Sequence, residues 1–156
     1  MHQHREVRVG ACPDYVWAVL TDVARWPEWA PVLHEVIPYD GGPLVVGGGV
    51  RVRARHLPVR EWRVAEVRPY RGFTWTGGGV GAASRLVVGI APSPPGGTLV
   101  ELTLERSGWA AALSERLTGA TTASHLDLLA DGLRRRCETG RRRPDGSAPG
   151  VARSTR

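Results

Sequence analysis

The sequence predicts an α+β fold: a curved antiparallel β-sheet of about six to seven strands wrapped around one long C-terminal helix, with two short helices after the first strand. Three observations predict it. Residues 50–106 repeatedly alternate apolar and polar side chains with a period of two. From Trp109 to about Cys137 the apolar spacing becomes helical. Between the first strand and the sheet lies DVARWPEWAPVLHEV, residues 22–36, where two tryptophans stand three apart and a proline follows each closely. That segment is too broken for a long helix.

The elements follow in order. HREVRV (4–9) reads as the first strand. Pro13-Asp14 then opens the apolar helix YVWAVLTD, with Pro where a missing N–H costs little. Arg25 to Trp29 reads as a second, very short helical turn, stopped by Pro31. VRVRARH (50–56) places Val50, Val52, Ala54 and His56 on one face and Arg51, Arg53 and Arg55 on the other. EWRVAEV (61–67), GFTWT (72–76), SRLVVGI (84–90) and TLVELTLER (98–106) continue the meander, with one dry face and one wet face. In the last strand Val100, Leu102 and Leu104 alternate with Glu101, Thr103 and Glu105. YDGGP, VRPYRG, TGGGVG and PSPPGG are turn chemistry.

About 28 residues of helix would run ~42 Å. At 100° steps Leu128, Thr121, His125, Leu129, Thr122, Leu133 and Leu126 form one broad arc, opposite Arg116, Asp127, Asp131 and Arg134. Gly119 and Gly132 weaken the helix locally. Laid across the concave dry face, one helix cannot fill a strongly twisted sheet everywhere. The expected gap is either a ligand pocket or a destabilising void.

Composition narrows the function. The net charge of +6 resides in residues 134–156, which hold eight Arg against Glu138 and Asp145; residues 1–133 balance thirteen Arg with thirteen acids. Residues 1–137 read as a single ligand-binding domain. Residues 138–156, rich in Arg, Gly and Pro, read as a disordered tail. No aromatic residues interleave with that Arg run and the rest is neutral, so nucleic acid is not an expected partner. No apolar run is long enough to span a membrane. MHQHREVRVG has no signal-peptide core, which predicts a cytoplasmic chain. Cys12 and Cys137 fit no metal or redox spacing, and no His pair has ligand spacing, so no metal is expected. All 21 basic residues are Arg, and a phosphate-binding P-loop needs its lysine. Gly77 to Ala82 fits G-x-G-x-x-A, but a strand rather than a helix follows. GGGVG is better read as a flexible loop that could gate a pocket. No cofactor is expected.

Together, VRVGACPDYVWAVLTDVARWPEWAPV (7–32), WRVAEV (62–67), GGTLVELTLERSG (96–108) and the long terminal helix resemble the START/polyketide-cyclase (SRPBCC) superfamily. The resemblance covers roughly residues 4–137. It implies the helix-grip fold, with the two short helices closing one end of a pocket and Trp17, Trp26 and Trp29 wedging that cap in place. It also implies a hydrophobic guest, since members include polyketide aromatase/cyclases, lipid and quinone carriers, hormone receptors and chaperone-ATPase activators. The expected lining is Trp26 and Trp29 from the cap, and Val52, Ala54, Trp62 and Val64 from the first half of the sheet. Phe73, Trp75, Val88 and Leu102 follow from the second half, and Leu117, Thr121, Leu128 and Leu129 from the helix.

Parity directs His56 and Glu66 inward, and His125 comes down from the helix. Converging in the pocket, they could remove a proton alpha to a carbonyl and polarise its oxygen. The primary expectation is therefore binding of a small hydrophobic, aromatic, polyketide- or lipid-like molecule between sheet and helix. The alternatives are a cofactor-independent polyketide cyclase or dehydratase using His56, Glu66 and His125, and a protein-interaction module.

Overall fold

The computed structural model describes residues 2–39, 41 and 43–141. The Arg-rich segment beyond Arg141 lies outside them. Seven strands form one antiparallel sheet in the order β1-β7-β6-β5-β4-β3-β2. They are β1 (His2–Val9), β2 (Leu33–Pro38), β3 (Gly49–Ala54), β4 (Arg60–Arg68), β5 (Gly72–Gly79), β6 (Ala82–Ser93) and β7 (Gly97–Ser107). Helices α1 (Pro13–Thr21) and α2 (Trp26–Trp29), joined by a 3-10 turn, follow β1, and α3 (Trp109–Arg141) closes the chain. No described helix is long and apolar enough to cross a membrane.

Three elements differ from the sequence reading. β1 begins at His2, two residues before the expected start, and His2 and His4 pair with Glu105 and Thr103 of β7. β2 falls where periodicity marked no strand. Its pairing with β3 slips between Leu33 and Glu35, which interrupts the alternation that would have revealed it. Gly77 to Gly79, read as loop, extend β5 and pair with Ser84, Ala83 and Ala82 of β6.

The core forms where the inward-facing sides of these strands meet α1, α2 and α3. Pro13 starts α1, and Val16 and Leu20 are its buried face. The indole N–H of Trp26 donates to the Leu20 carbonyl at 3.0 Å, so this buried ring keeps its hydrogen bond while its body packs apolar. Trp26 stacks on Trp75 with ring centroids 5.2 Å apart, and Trp29 lies 5.6 Å from Trp26. The cap is thus wedged against the sheet, as the family resemblance implied. The Thr98 hydroxyl donates to the Ala11 carbonyl at 2.7 Å and ties the start of β7 to the end of β1.

α3 packs on β1, β7 and β6 and on both short helices. Arg5 pairs with Asp127, Arg136 pairs with Glu28 at 2.9 Å, and Gln3 donates to the Gly119 carbonyl at 3.3 Å. Gly132 has a different reason to be glycine from the one propensity suggests. A Cβ there would overlap the backbone carbonyl of Trp29, so its bare backbone lets α3 touch α2. The helix is therefore seated towards the β1 side of the sheet, and the concave face of β3, β4 and β5 is left with space above it.

Candidate functional site

That space is a cavity of about 120 Å³. Val52 and Ala54 of β3 form one wall with Val32 and Leu33, and Leu57 and Pro58 of the following turn extend it. Arg60 and Trp62 enter from β4, Trp75 from β5, Leu86 from β6, and Leu104 and Arg106 from β7. Trp26 closes the capped end, and Thr122, His125, Leu126 and Leu129 form the roof. Apolar and aromatic groups dominate, with a few polar ones among them, which is the usual make-up of a small-molecule site. For scale, a core cavity of roughly 150 Å³ can hold benzene, and common ligand pockets begin at roughly 300 Å³. This one matches a single ring or a short chain.

Of the expected lining residues, the structure brings Trp26, Val52, Ala54, Trp62, Trp75 and Leu129 together around the cavity. Trp29, Val64, Phe73, Val88 and Leu102 are instead buried in the surrounding core. They support the wall without facing the space. Leu117 is 81% exposed and Leu128 40% exposed, so neither faces a guest. Thr121 is half-buried and outside the lining. The helical arc held Thr121 and Leu128, but the buried face of α3 runs through Leu126, Leu129, Ala130 and Leu133, and Leu128 falls to its side; Leu117 lies among the exposed first turns. For Leu117 the arc could not show which part of a 33-residue helix lies over the sheet.

The three candidate acid–base residues separate. His125 lines the cavity. Burial, then the nearby charges of His56 and Arg55, hold its pKa below the ordinary 6.5, so its ring is neutral at pH 7.

His56 is exposed because β3 ends at Ala54 and the chain turns. Its backbone takes a left-handed φ of 60°, a conformation histidine adopts more readily than most residues. It stays close enough for its charge to act on His125 but outside the lining.

Glu66 is turned away by a bulge. Val64 pairs with Trp75, but the register shifts by one residue before Glu66 pairs with Thr74. One extra residue flips parity. Val67, not Glu66, then shares the inner face with Phe73, and the Glu66 carboxylate accepts a hydrogen bond from Arg68 at 2.6 Å. His34, on β2, is exposed.

Two polar residues of the lining went unread: Arg60 and Arg106. Parity contained the signal. Arg60 precedes Trp62 and Val64 by steps of two, and Arg106 follows Leu102 and Leu104 the same way. Arg106 is only 7% exposed. Burial lowers the pKa of both guanidinium groups, and at Arg106 the charge of Arg60 lowers it further. Cys137, under the far end of α3, is fully buried, and desolvation pushes its thiol up to about 12. Such a thiol is inert near neutral pH.

Known proteins supply the context. Residues 2–138 match the family described as polyketide cyclase / dehydrase and lipid transport. A search among curated proteins finds no match. Norcoclaurine synthase from Thalictrum flavum superposes with a TM-score of 0.68 at 16% identity, over 87% of this chain and 92% of that one. A START superfamily protein from Mycobacterium smegmatis gives 0.66 at 19% identity, over 88% and 97%. The DynU16 protein of the dynemicin biosynthetic locus gives 0.67 at 21% identity, and this chain, matched over 89% of its own length, spans 48% of it. At these identities the likeness establishes a shared fold. Taken with it, the family match across nearly the whole described chain assigns the protein: it has the helix-grip fold, and it belongs to the polyketide cyclase / dehydrase and lipid transport family.

Proposed function

We propose that the protein binds a small hydrophobic molecule, about one aromatic ring or a short chain in size, between β3–β5 and α3. The observation that supports this most directly is the cavity of about 120 Å³ walled by Trp26, Trp62 and Trp75. A void of this kind destabilises a fold that leaves it empty, in rough proportion to its volume. A guest restores the missing contacts. Larger polyketide- or lipid-like molecules require the 55–58 turn or the first half of α3 to move outward.

The test is a thermal-shift screen of one-ring aromatics, short fatty acids, quinones and flavonoids, together with native mass spectrometry of the protein as purified. A guest at about a hundred times its Kd should add about 2.7 kcal/mol of stability. Ala54→Phe, which fills the space from β3, should abolish the shift and leave the fold intact. Absence of any shift across the single-ring probes would end the binding reading.

A second reading keeps His125 in view. A neutral imidazole inside an apolar cavity is suited to take a proton, and the guanidinium groups of Arg60 and Arg106 could polarise a carbonyl. This is a cofactor-independent cyclase or dehydratase with His125 as base. It does without the anticipated trio, since Glu66 and His56 stand outside the lining. Turnover of a bound probe that His125→Gln abolishes, at unchanged affinity, would establish it.

A further inference from the structure

Resting on the binding reading above, we infer that the guest ends in a carboxylate, held at the Arg60 end of the cavity. Arg60 points inward by strand parity with Trp62 and Val64, not by a late excursion of a surface side chain. Its Nε is buried without a hydrogen-bond partner, and among the described residues it makes no ion pair. The indole N–H of Trp75, on the same cavity wall, is also buried without an acceptor. Arg106 brings a second guanidinium to the same space. Among the described residues, no Asp or Glu lines the cavity.

Among the described residues, an apolar cavity that presents the Arg60 guanidinium and the Trp75 indole N–H and no carboxylate lacks one kind of group: an anionic acceptor. Arg60 Nε and the Trp75 indole N–H are buried donors without acceptors, which is costly, and a purely hydrocarbon guest would leave these two so. A carboxylate has two oxygens and about four lone-pair sites, and it matches the fork of a guanidinium. Its charge also opposes the mutual repulsion that burial imposes on Arg60 and Arg106. A phosphate would bring more oxygens and a heavier hydration shell into about 120 Å³ that must also hold the apolar body. The inferred class is therefore a small aromatic or short aliphatic acid, its body against Trp26, Trp62 and Leu129 and its charge towards Arg60.

Isothermal titration calorimetry with benzoate, benzamide and toluene tests this on the full chain. The three share a ring and differ in charge and acceptors. Benzoate should bind about tenfold more tightly than benzamide, the gain expected of a charge-assisted hydrogen bond. Arg60→Met keeps an apolar stem and should erase that preference while benzamide and toluene still bind. Arg60→Gln should do the same, and serves if the Met variant fails to fold. Equal affinity for benzoate and benzamide in the parent would overturn the inference and leave the binding reading standing, as would a preference that survives in the folded Arg60 variant. Failure of all three probes to bind would remove both.

Discussion

The two halves of α3 have similar apolar content and opposite fates. From Leu126 onward, Leu126, Leu129, Ala130, Leu133 and Cys137 are all buried. Among the described side chains of the first turns, Trp109, Leu113 and Leu117 are 63% to 81% exposed, and Ala111 is the buried one. The difference lies in what stands opposite. The second half meets α2, with Gly132 against the Trp29 backbone and Arg136 on Glu28. The first half is held at the β1 edge by the Gln3 bond to Gly119. The second half is consequently part of the packed core, and the cavity lies under the middle of the helix, beneath Thr122, His125, Leu126 and Leu129. Amphipathy describes a helix. Burial depends on its partner, and here the partner covers only part of the length.

The largest effect expected from this contrast is at the packed end. Leu133→Ala should cost about 3 kcal/mol in urea unfolding, as large-to-small core changes do. The matched change at the open end, Leu117→Ala, should stay within about 0.5 kcal/mol. If the two cost the same, the contrast between the halves is wrong.

Gly132→Ala should come next. Its methyl has no space beneath the Trp29 carbonyl, so a loss of about 2 kcal/mol is expected despite alanine's better helix propensity. A stabilised Gly132→Ala protein would mean that α3 stands further from α2.

The smallest effect is a pH limb from His125. Because its folded pKa lies below the ordinary 6.5, the unfolded chain takes up the proton first as pH falls. Stability present above pH 6.5 is thus lost as pH drops towards the folded value, and the loss levels off below it. It should be less than about 1 kcal/mol, because the ring is only half-buried. Melting temperatures from pH 8 to pH 5 should show the limb in the parent and a flatter one in His125→Gln.

Much of this was legible beforehand, and the physics says which parts. Periods of two and of 3.6 identify faces, so the meander, the long helix and the inward set Val52, Ala54, Trp62 and Trp75 could be read directly. Paired tryptophans between prolines marked a broken segment, and the family resemblance made it the cap. Two things defeat parity. A bulge is a one-residue event with no strong sequence mark, and it hid β2 and turned Glu66 outward. A strand's end is uncertain by a residue or two, and His56 fell just past one. Arg60 and Arg106 were missed for another reason. Charged residues are usually placed outside by chemical type, yet both obey the alternation of their own strands. Where type and parity disagree inside a pocket-forming fold, parity deserved the greater weight.

The nesting of aromatic rings has an optical consequence. Trp62, Trp75, Trp26 and Trp29 form an unbroken sequence of neighbours at 5.2 to 6.4 Å, and Phe73 links Trp17 to it. At such separations excitation moves from indole to indole before emission. Three of these rings bound the hollow, so light absorbed anywhere along the chain of rings is emitted by a population that includes its walls. Trp109, the first residue of α3, stands outside that circuit and contributes a separate, solvent-exposed component. The protein thus carries its own built-in lamp beside the space where a guest would lie.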